Sequence, residues 1–560
     1  MMKKLLAVVL CLAATPAAAA YRAGVLVPAG PFHGVHGLAF GPDGALYAGD
    51  IMGSTVHRID VRTGRVSAAV RAPEGMADDV AFAPPGTPFA GTMVWTAIAA
   101  GKLYAKTPDG APRVLADNLP NVNTVGFAPD GTLYVTQTGP ANKTLWRVDL
   151  SGKSPPEKLW DATGSLNGFV IAADGFLYGP QADLGQVIRL DLRSMEIQIL
   201  ATGFNWPTAV EMDKAGLLYV LDFNAGTVTQ LNKDTGAKTL FATLSPGVDN
   251  MAMNPAGDRL YVSSIGDNGI HEIDLSTKDK RAVVRGQLTA PGGVAVLGTK
   301  ENAQVYIADM FTLRCVNAAT GEVSDVMPIN GTGVYPATVQ RGRVDDKDVL
   351  LTASWFNGRV QVIDPADGKT LREEKDLAAP HDVLTDDAGA LLVAEAGAKR
   401  VTRVSPDGAR ETIAEGFLYP VGLARSGDTL YVTDADGGTV TAVSLSAKTR
   451  RIIADKLLRP EGIALLADGG LAVVDSAAQI LWRLDPATGA RSDIATRADV
   501  GLTPPAPLPP SWIFNGIAEG PDGTLYLTSD MQAGVFALRP EDGAVSTMDA
   551  LRRLTSRLFR

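Results

Sequence analysis

The chain has 560 residues, with 59 glycines, 35 prolines, 2 cysteines, 20% charged residues and a formal net charge of −10. That length exceeds one ordinary domain, and glycine above the usual ~7% in a chain rich in Leu, Val and Ala marks turn-rich globular structure and excludes disorder, collagen and coiled coil. An acidic chain without basic blocks also argues against nucleic acid and anionic membrane surfaces as partners.

Residues 1–20 read as a secretory signal peptide. Lys3 and Lys4 form the charged start, Leu5 to Ala14 the apolar stretch, and Pro16 with Ala17 to Ala20 a small-residue cleavage region. The leader has a bacterial character, so the expected location is periplasmic or secreted. Its removal would take Cys11 and leave Cys315 alone, without an internal disulfide and with the expected role of a small buried residue. No later stretch offers the ~18 uninterrupted apolar residues of a membrane span.

From residue 34 onward the sequence repeats itself. GVHGLAFGPDGALYAGD (34–50), NVNTVGFAPDGTLYVTQ (121–137), WPTAVEMDKAGLLYVLD (206–222), YPVGLARSGDTLYVTD (419–434) and IFNGIAEGPDGTLYLTS (513–529) each place a short apolar strand before a P-D-G, D-G or related turn. An L-Y-V-x-D strand follows. Turn chemistry and alternation predict a β-hairpin. A third strand (TVHRIDV, TLWRVDL, RVQVIDP, ILWRLDP) and a fourth (RAVVRGQL, ETIAEGFL) complete a four-stranded unit every ~40–45 residues, the blade of a β-propeller.

Twelve units are anchored, at the first residue of each inner strand, on His36, Asp78, Asn123, Asn167, Thr208, Asp249, Gly292, Ala337, His381, Val421, Glu461 and Asn515. Twelve exceeds the usual ~4–8 blades of one ring. The expected fold is therefore all-β: two tandem six-bladed propellers over residues 21–290 and 291–545, with a seam near Ala290-Pro291 and a C-terminal tail at 546–560; one twelve-bladed ring is the alternative. Residues 21–30 look like a fourth strand placed ahead of the first hairpin, which suggests ring closure by strand exchange, with the ring it closes left open. Two stretches break the period: Phe82 to Leu103, and the Pro-rich Gly501 to Trp512. Each is either a functional lid or a tolerated surface insertion.

The anchors carry the expected chemistry, because each stands at the mouth of a central channel and points to a common axis. The first ring presents only polar residues there. Asp78, Asn123, Asn167 and Asp249 form an oxygen ligand set suited to a hard divalent cation, Ca²⁺ or Mg²⁺, and His36 adds a nitrogen ligand or general base. The second ring retains His381, Glu461 and Asn515, with acids such as Asp309, Glu395, Asp434 and Asp475 at second-strand ends, where a structural role is expected. The expected catalytic set is His36, Asp249, His381 and Glu461. Signatures of serine hydrolases, zinc proteases, nucleotide-binding loops and redox dithiols are absent from the sequence.

The units GLAFGPDGALYAGD, GFAPDGTLYVTQ, GLARSGDTLYVTD and GIAEGPDGTLYLTS resemble the SMP-30/gluconolactonase family and the related NHL-repeat propellers. The resemblance implies six-bladed rings whose channel metal is held by a Glu, two Asn and an Asp and polarises a lactone carbonyl, with an acidic residue moving the proton. The two family asparagines fall on Asn123 and Asn167. The family glutamate falls on His36 and the aspartate on Thr208, so Asp78 and Asp249 would have to supply the carboxylates. The second half also resembles virginiamycin B lyase, a Mg²⁺-dependent C–O lyase, through Pro380-His381-Asp382-Val383 and Glu395, in one unit only.

The functional expectation is a monomeric divalent-metal-dependent hydrolase of lactones or esters, with a small-molecule substrate and no membrane span. A non-catalytic propeller that presents Trp95, Trp206, Trp355, Phe356, Trp512 and Phe514 to a peptide, glycan or envelope partner is the alternative. The lyase is a second.

Overall fold

The computed structural model describes residues 20–327, 329, 335–504 and 508–541. The expected leader, apart from Ala20, and the expected tail lie outside the described residues. In the first hairpin, Val35–Phe40 pairs antiparallel with Leu46–Asp50. Its Pro42-Asp43-Gly44 turn closes because Asp43 Oδ1 accepts the Ala45 N–H at 3.2 Å and Gly44 takes φ +74°, which a side chain would disfavour. Thr55–Asp60 and Arg65–Val70 complete the blade. The pattern recurs as twelve separate four-stranded antiparallel sheets.

Packing decides between two rings and one. Apolar side chains of neighbouring blades meet face to face, and the closing pairs identify each ring. Blades 1 and 6 share Val35, Leu46, Tyr261 and Ile270, whereas blades 7 and 12 share Val294, Val305, Tyr526 and Val535. The inner strands Val35–Phe40 and Val248–Met253 pack side by side, as do Pro291–Leu297 and Ile517–Glu519. Two six-bladed propellers result.

One strand departs from the expected division at 290/291. Ala20–Val27 pairs with Gly534–Glu541 and is the outer strand of blade 12, so the residues that open the first segment close the second ring. The chain thus crosses between the rings twice, at 28–34 and 285–290. Asn268 ties both crossings together. Its amide nitrogen donates to Phe32 O at 2.5 Å and Leu288 O at 2.8 Å, and its Oδ1 accepts from Gly34 N and Val35 N at 3.0 and 3.4 Å. Arg314 of blade 7 reaches across to Gly266 O of blade 6.

The recurrent second-strand acids are backbone clamps. Asp222 accepts from Asn205 N, Trp206 N and Ala225 N; Asp434 from Leu418 N, Tyr419 N and Gly437 N; and Asp475 from Leu458 N, Arg459 N and Ala478 N. Each carboxylate satisfies donors that the chain exposes between blades. That accounts for the repeated Asp without chemistry.

Candidate functional site

The channel-mouth side chains of the first ring owe their direction to β-bulges. Val35 pairs with Asp50 and Leu38 with Ala48, so His36 and Gly37 stand opposite the single Gly49. Likewise Asn123 and Thr124 oppose Thr136, and Asp249 and Asn250 oppose Ser263. A bulge adds a residue, twists the strand and re-aims its side chains. The freed backbone donors are taken by hydroxyls on the opposing strand: Thr124 N to Thr136 Oγ1 at 3.2 Å and Asn250 N to Ser263 Oγ at 3.0 Å. The Thr or Ser of the L-Y-V-T strand is therefore the bulge's partner. Gly37 approaches blade 2 so closely that a Cβ there would lie 2.1 Å from Asp79 Oδ1.

His36, Asp78, Asn123, Asn167 and Asp249 line one cavity of about 430 Å³ at this mouth. The Nδ1 of His36 lies 3.2 Å from Asp249 Oδ2 and 3.5 Å from Asp78 Oδ1. Asn123 Nδ2 donates to Asp78 Oδ2 at 2.6 Å. The Thr124 hydroxyl is within hydrogen-bonding distance of both asparagine oxygens, 3.0 Å from Asn123 Oδ1 and 3.2 Å from Asn167 Oδ1. Asn167 Oδ1 also accepts Gly168 N–H at 3.1 Å, which fixes the amide and leaves its nitrogen without a protein partner among the described residues.

Electrostatics follow from this crowding. Burial alone would lower the His36 pKa, but the charge and hydrogen bond of Asp249, with help from Asp78 and Asp50, raise it to about 9. So raised, the His36 ring favours the imidazolium form at neutral pH. Asp78 is raised to about 7, chiefly by burial, against the counteracting charge of His36. Asp79 is raised to about 8, again chiefly by burial, yet its two oxygens accept Val125 N and Val80 N and latch blade 2 to blade 3. Asp382 makes the same latch in the second ring, to Leu423 N and Val383 N.

The arrangement does not fit a divalent ion. An imidazolium occupies the gap between the two carboxylates, Asp78 is further engaged by Asn123, and the Asn167 oxygen already accepts the Gly168 N–H. Thr208, where the family carries an aspartate, is buried and its hydroxyl has no partner. Among the described residues, no group of three or more His, Cys, Asp or Glu is arranged to hold a metal.

The second ring's expected catalytic residues are not brought to this floor. Glu461 is 2% exposed and accepts from Ser511 Oγ and from the backbone and side-chain nitrogens of Asn515. Asp530 accepts Gly501 N and Leu502 N. These two acids hold the residues at both ends of the Pro-rich segment, and Trp512, Ile513 and Phe514 are buried. His381 is wholly buried; its Nε2 meets Tyr419 Oη at 3.0 Å, its ring stacks on Trp355, and burial pushes its pKa down to about 3. Glu395, the second half of the lyase-like unit, is consumed by Ala378 N, Arg400 and Thr402.

What the sequence did not foretell is the roof. Met310, Phe311, Tyr335, Trp355 and Phe356 of the second ring, with Leu508 and Trp512 of the Pro-rich segment, face the same cavity as the first-ring floor. The expected stretch in blade 2 contributes its 83–92 loop to the far end of the hairpin, whereas Ile98 and Ala99, beyond the second strand, do line the cavity. Trp95 is core, stacked on Tyr104.

One family model matches part of this first ring. Residues 30–224 match this model, described as SMP-30/Gluconolactonase/LRE-like region. The SMP-30/gluconolactonase-like region covers about a third of the chain and contains His36, Asp78, Asn123 and Asn167. No curated protein matches the sequence. Similar solved structures include a virginiamycin B lyase from Staphylococcus aureus (16% identity, 52% of this chain and 96% of that chain, TM-score 0.36). A gluconolactonase from Xanthomonas campestris is also similar (17% identity, 44% and 86%, TM-score 0.37). A GH74 xyloglucanase from Xanthomonas campestris aligns along 93% of this chain and 100% of its own at 11% identity and TM-score 0.50, a likeness of fold.

Proposed function

We propose that the channel mouth of the first ring is a small-molecule site that hydrolyses a lactone or ester, and that it does so without a resident metal. The observation that carries this reading is the grouping of Asp78, His36 and Asp249 on the floor of one cavity, which Asn167 also lines with an amide nitrogen that has no partner among the described residues. Paired groups whose surroundings push their pKa values apart are the usual basis of acid–base work at neutral pH.

In this reading Asp78, with its pKa near neutrality, is the general base. Its carboxylate takes a proton from water as the water oxygen attacks the acyl carbon. The Asn167 N–H groups donate to the carbonyl oxygen as it gains charge. The acyl C–O bond then breaks, and the departing alkoxide receives the proton from Asp78. His36 remains protonated throughout, held by Asp249, and is a fixed positive charge beside the developing anion.

The test is a panel of lactones and esters assayed with the purified full chain across pH. Activity should rise as pH passes about 7, where Asp78 ionises, and fall as it passes about 9, where His36 loses its proton. Asp78→Asn should lose at least ~100-fold in kcat. Full activity in Asp78→Asn, or activity abolished by a chelator and restored by Ca²⁺ or Mg²⁺, would overturn this mechanism. A protein that turns over none of the panel, yet binds an apolar ligand at the exposed Phe356, would instead be the non-catalytic binding propeller.

A further inference from the structure

We infer that the second ring selects the ligand: the polar floor of the first ring receives the lactone or ester group, and a wall built by blades 7 and 8 receives an uncharged, apolar body. The chemistry at the floor rests on the hydrolytic reading above. The wall stands on its own observations.

The wall is pre-built. Trp355 donates its Nε1–H to Trp512 O at 3.1 Å, and it stacks on the His381 ring at 6.3 Å between centroids and 14° between planes. Phe356 meets Trp355 and Tyr335 edge-on at 5.8 and 5.5 Å, and Tyr335 meets Phe311 at 5.8 Å. The buried, neutral His381 is therefore a positioning residue for Trp355, not a group that reaches the reacting atoms. Phe356 is nonetheless 66% exposed and Tyr335 37%. Large rigid apolar surface held open inside a concave site is surface kept for a partner.

The lining also decides what that partner is. Among the described residues no Lys or Arg borders the cavity, whereas Asp78 and Asp249 do. A ligand bearing a carboxylate or phosphate would meet these two acids, while the cation on the floor, His36, is already paired with Asp249 and Asp78. Hydroxyls turned toward Met310, Phe311 and Phe356 would find no hydrogen-bond partner there and would lose their water. An alkyl or aryl chain suffers neither penalty. The two rings thus divide recognition, and the Pro-rich segment, clamped by Glu461 and Asp530, fixes the corner where they meet.

The test compares p-nitrophenyl acetate with p-nitrophenyl octanoate as substrates, and follows binding of 2-undecanone, which cannot be hydrolysed, by tryptophan fluorescence. The octanoate KM should lie at least about tenfold below the acetate KM. Phe356→Ser, at an exposed position, should raise the octanoate KM and weaken 2-undecanone about tenfold, several times more than it changes the acetate KM. Equal KM values for the two esters, or a Phe356→Ser variant that affects both alike, would overturn the inference. If neither ester is turned over but 2-undecanone binds and is weakened in Phe356→Ser, the hydrolytic reading fails and the wall stands. If 2-undecanone does not bind, the wall fails whatever the turnover.

Discussion

His36 and Asp249 stand 3.2 Å apart, Nδ1 to Oδ2, at the axis of the first ring. Burial pulls the imidazole pKa down, and the charge and hydrogen bond of Asp249, with Asp78 and Asp50, together outweigh it. Asp249→Asn should therefore lower the His36 pKa by more than ~1 unit. With 5 histidines in the chain, an NMR titration of imidazole C–H signals can follow it. A His36 resonance that titrates unchanged in the variant would show that the pair does not govern this site.

The metal-free reading rests on the His36 ring standing between Asp78 and Asp249. Wild-type protein should give no heat of binding with Ca²⁺ or Mg²⁺ in calorimetry at neutral pH. His36→Glu removes the internal cation and adds a third carboxylate beside Asp78 and Asp249, so that variant should gain measurable divalent affinity. Saturable binding to the wild type at micromolar concentrations would contradict this account of the floor.

Stability should fall as the medium turns alkaline. Asp78, Glu211, Asp382 and Asp530 are raised to about 7 and Asp79 to about 8, chiefly by burial, so the folded chain holds protons that the unfolded chain releases near pH 4. Each contributes stability that is complete below the unfolded pKa and lost as pH rises through the folded value. His36 acts in the same sense, with its contribution lost through about 9. Melting temperatures at constant ionic strength should drop steadily from pH 5.5 to pH 9. A flat or rising profile would refute the assignment.

Asn268 joins both chain crossings between the rings and is fully buried. Asn268→Ala leaves two carbonyls and two N–H groups without partners and removes a residue type tolerant of its φ of +50°. A loss of about 3 kcal/mol is expected, read as a lower denaturant midpoint. A midpoint within error of wild type would show the knot to be dispensable.

Removing residues 1–27 should open the second ring, because Gly534–Glu541 then presents a bare edge. We expect a lower melting temperature and aggregation, both relieved by a synthetic peptide of the Ala20–Val27 sequence. A truncated protein as stable as the full chain would argue against closure by that strand.

The amino-acid sequence by itself determined the blades. A P-D-G turn, a period-two apolar pattern and a recurring L-Y-V-x-D strand are local signals, since a hairpin is specified by residues within a few positions of one another. Those signals placed His36, Asp78, Asn123, Asn167 and Asp249 around one axis. They also gave the second-strand acids a structural role, later seen in the clamps of Asp222, Asp434 and Asp475. Tertiary structure alone decided the rest. The ring closed by Ala20–Val27, the protonation of His36 between two acids, the burial of His381 and Glu461, and the aromatic roof over a polar floor all depend on residues hundreds of positions apart. Charge and solvent exposure are properties of the assembled surroundings, and no local pattern encodes which distant side chain will arrive beside a given one.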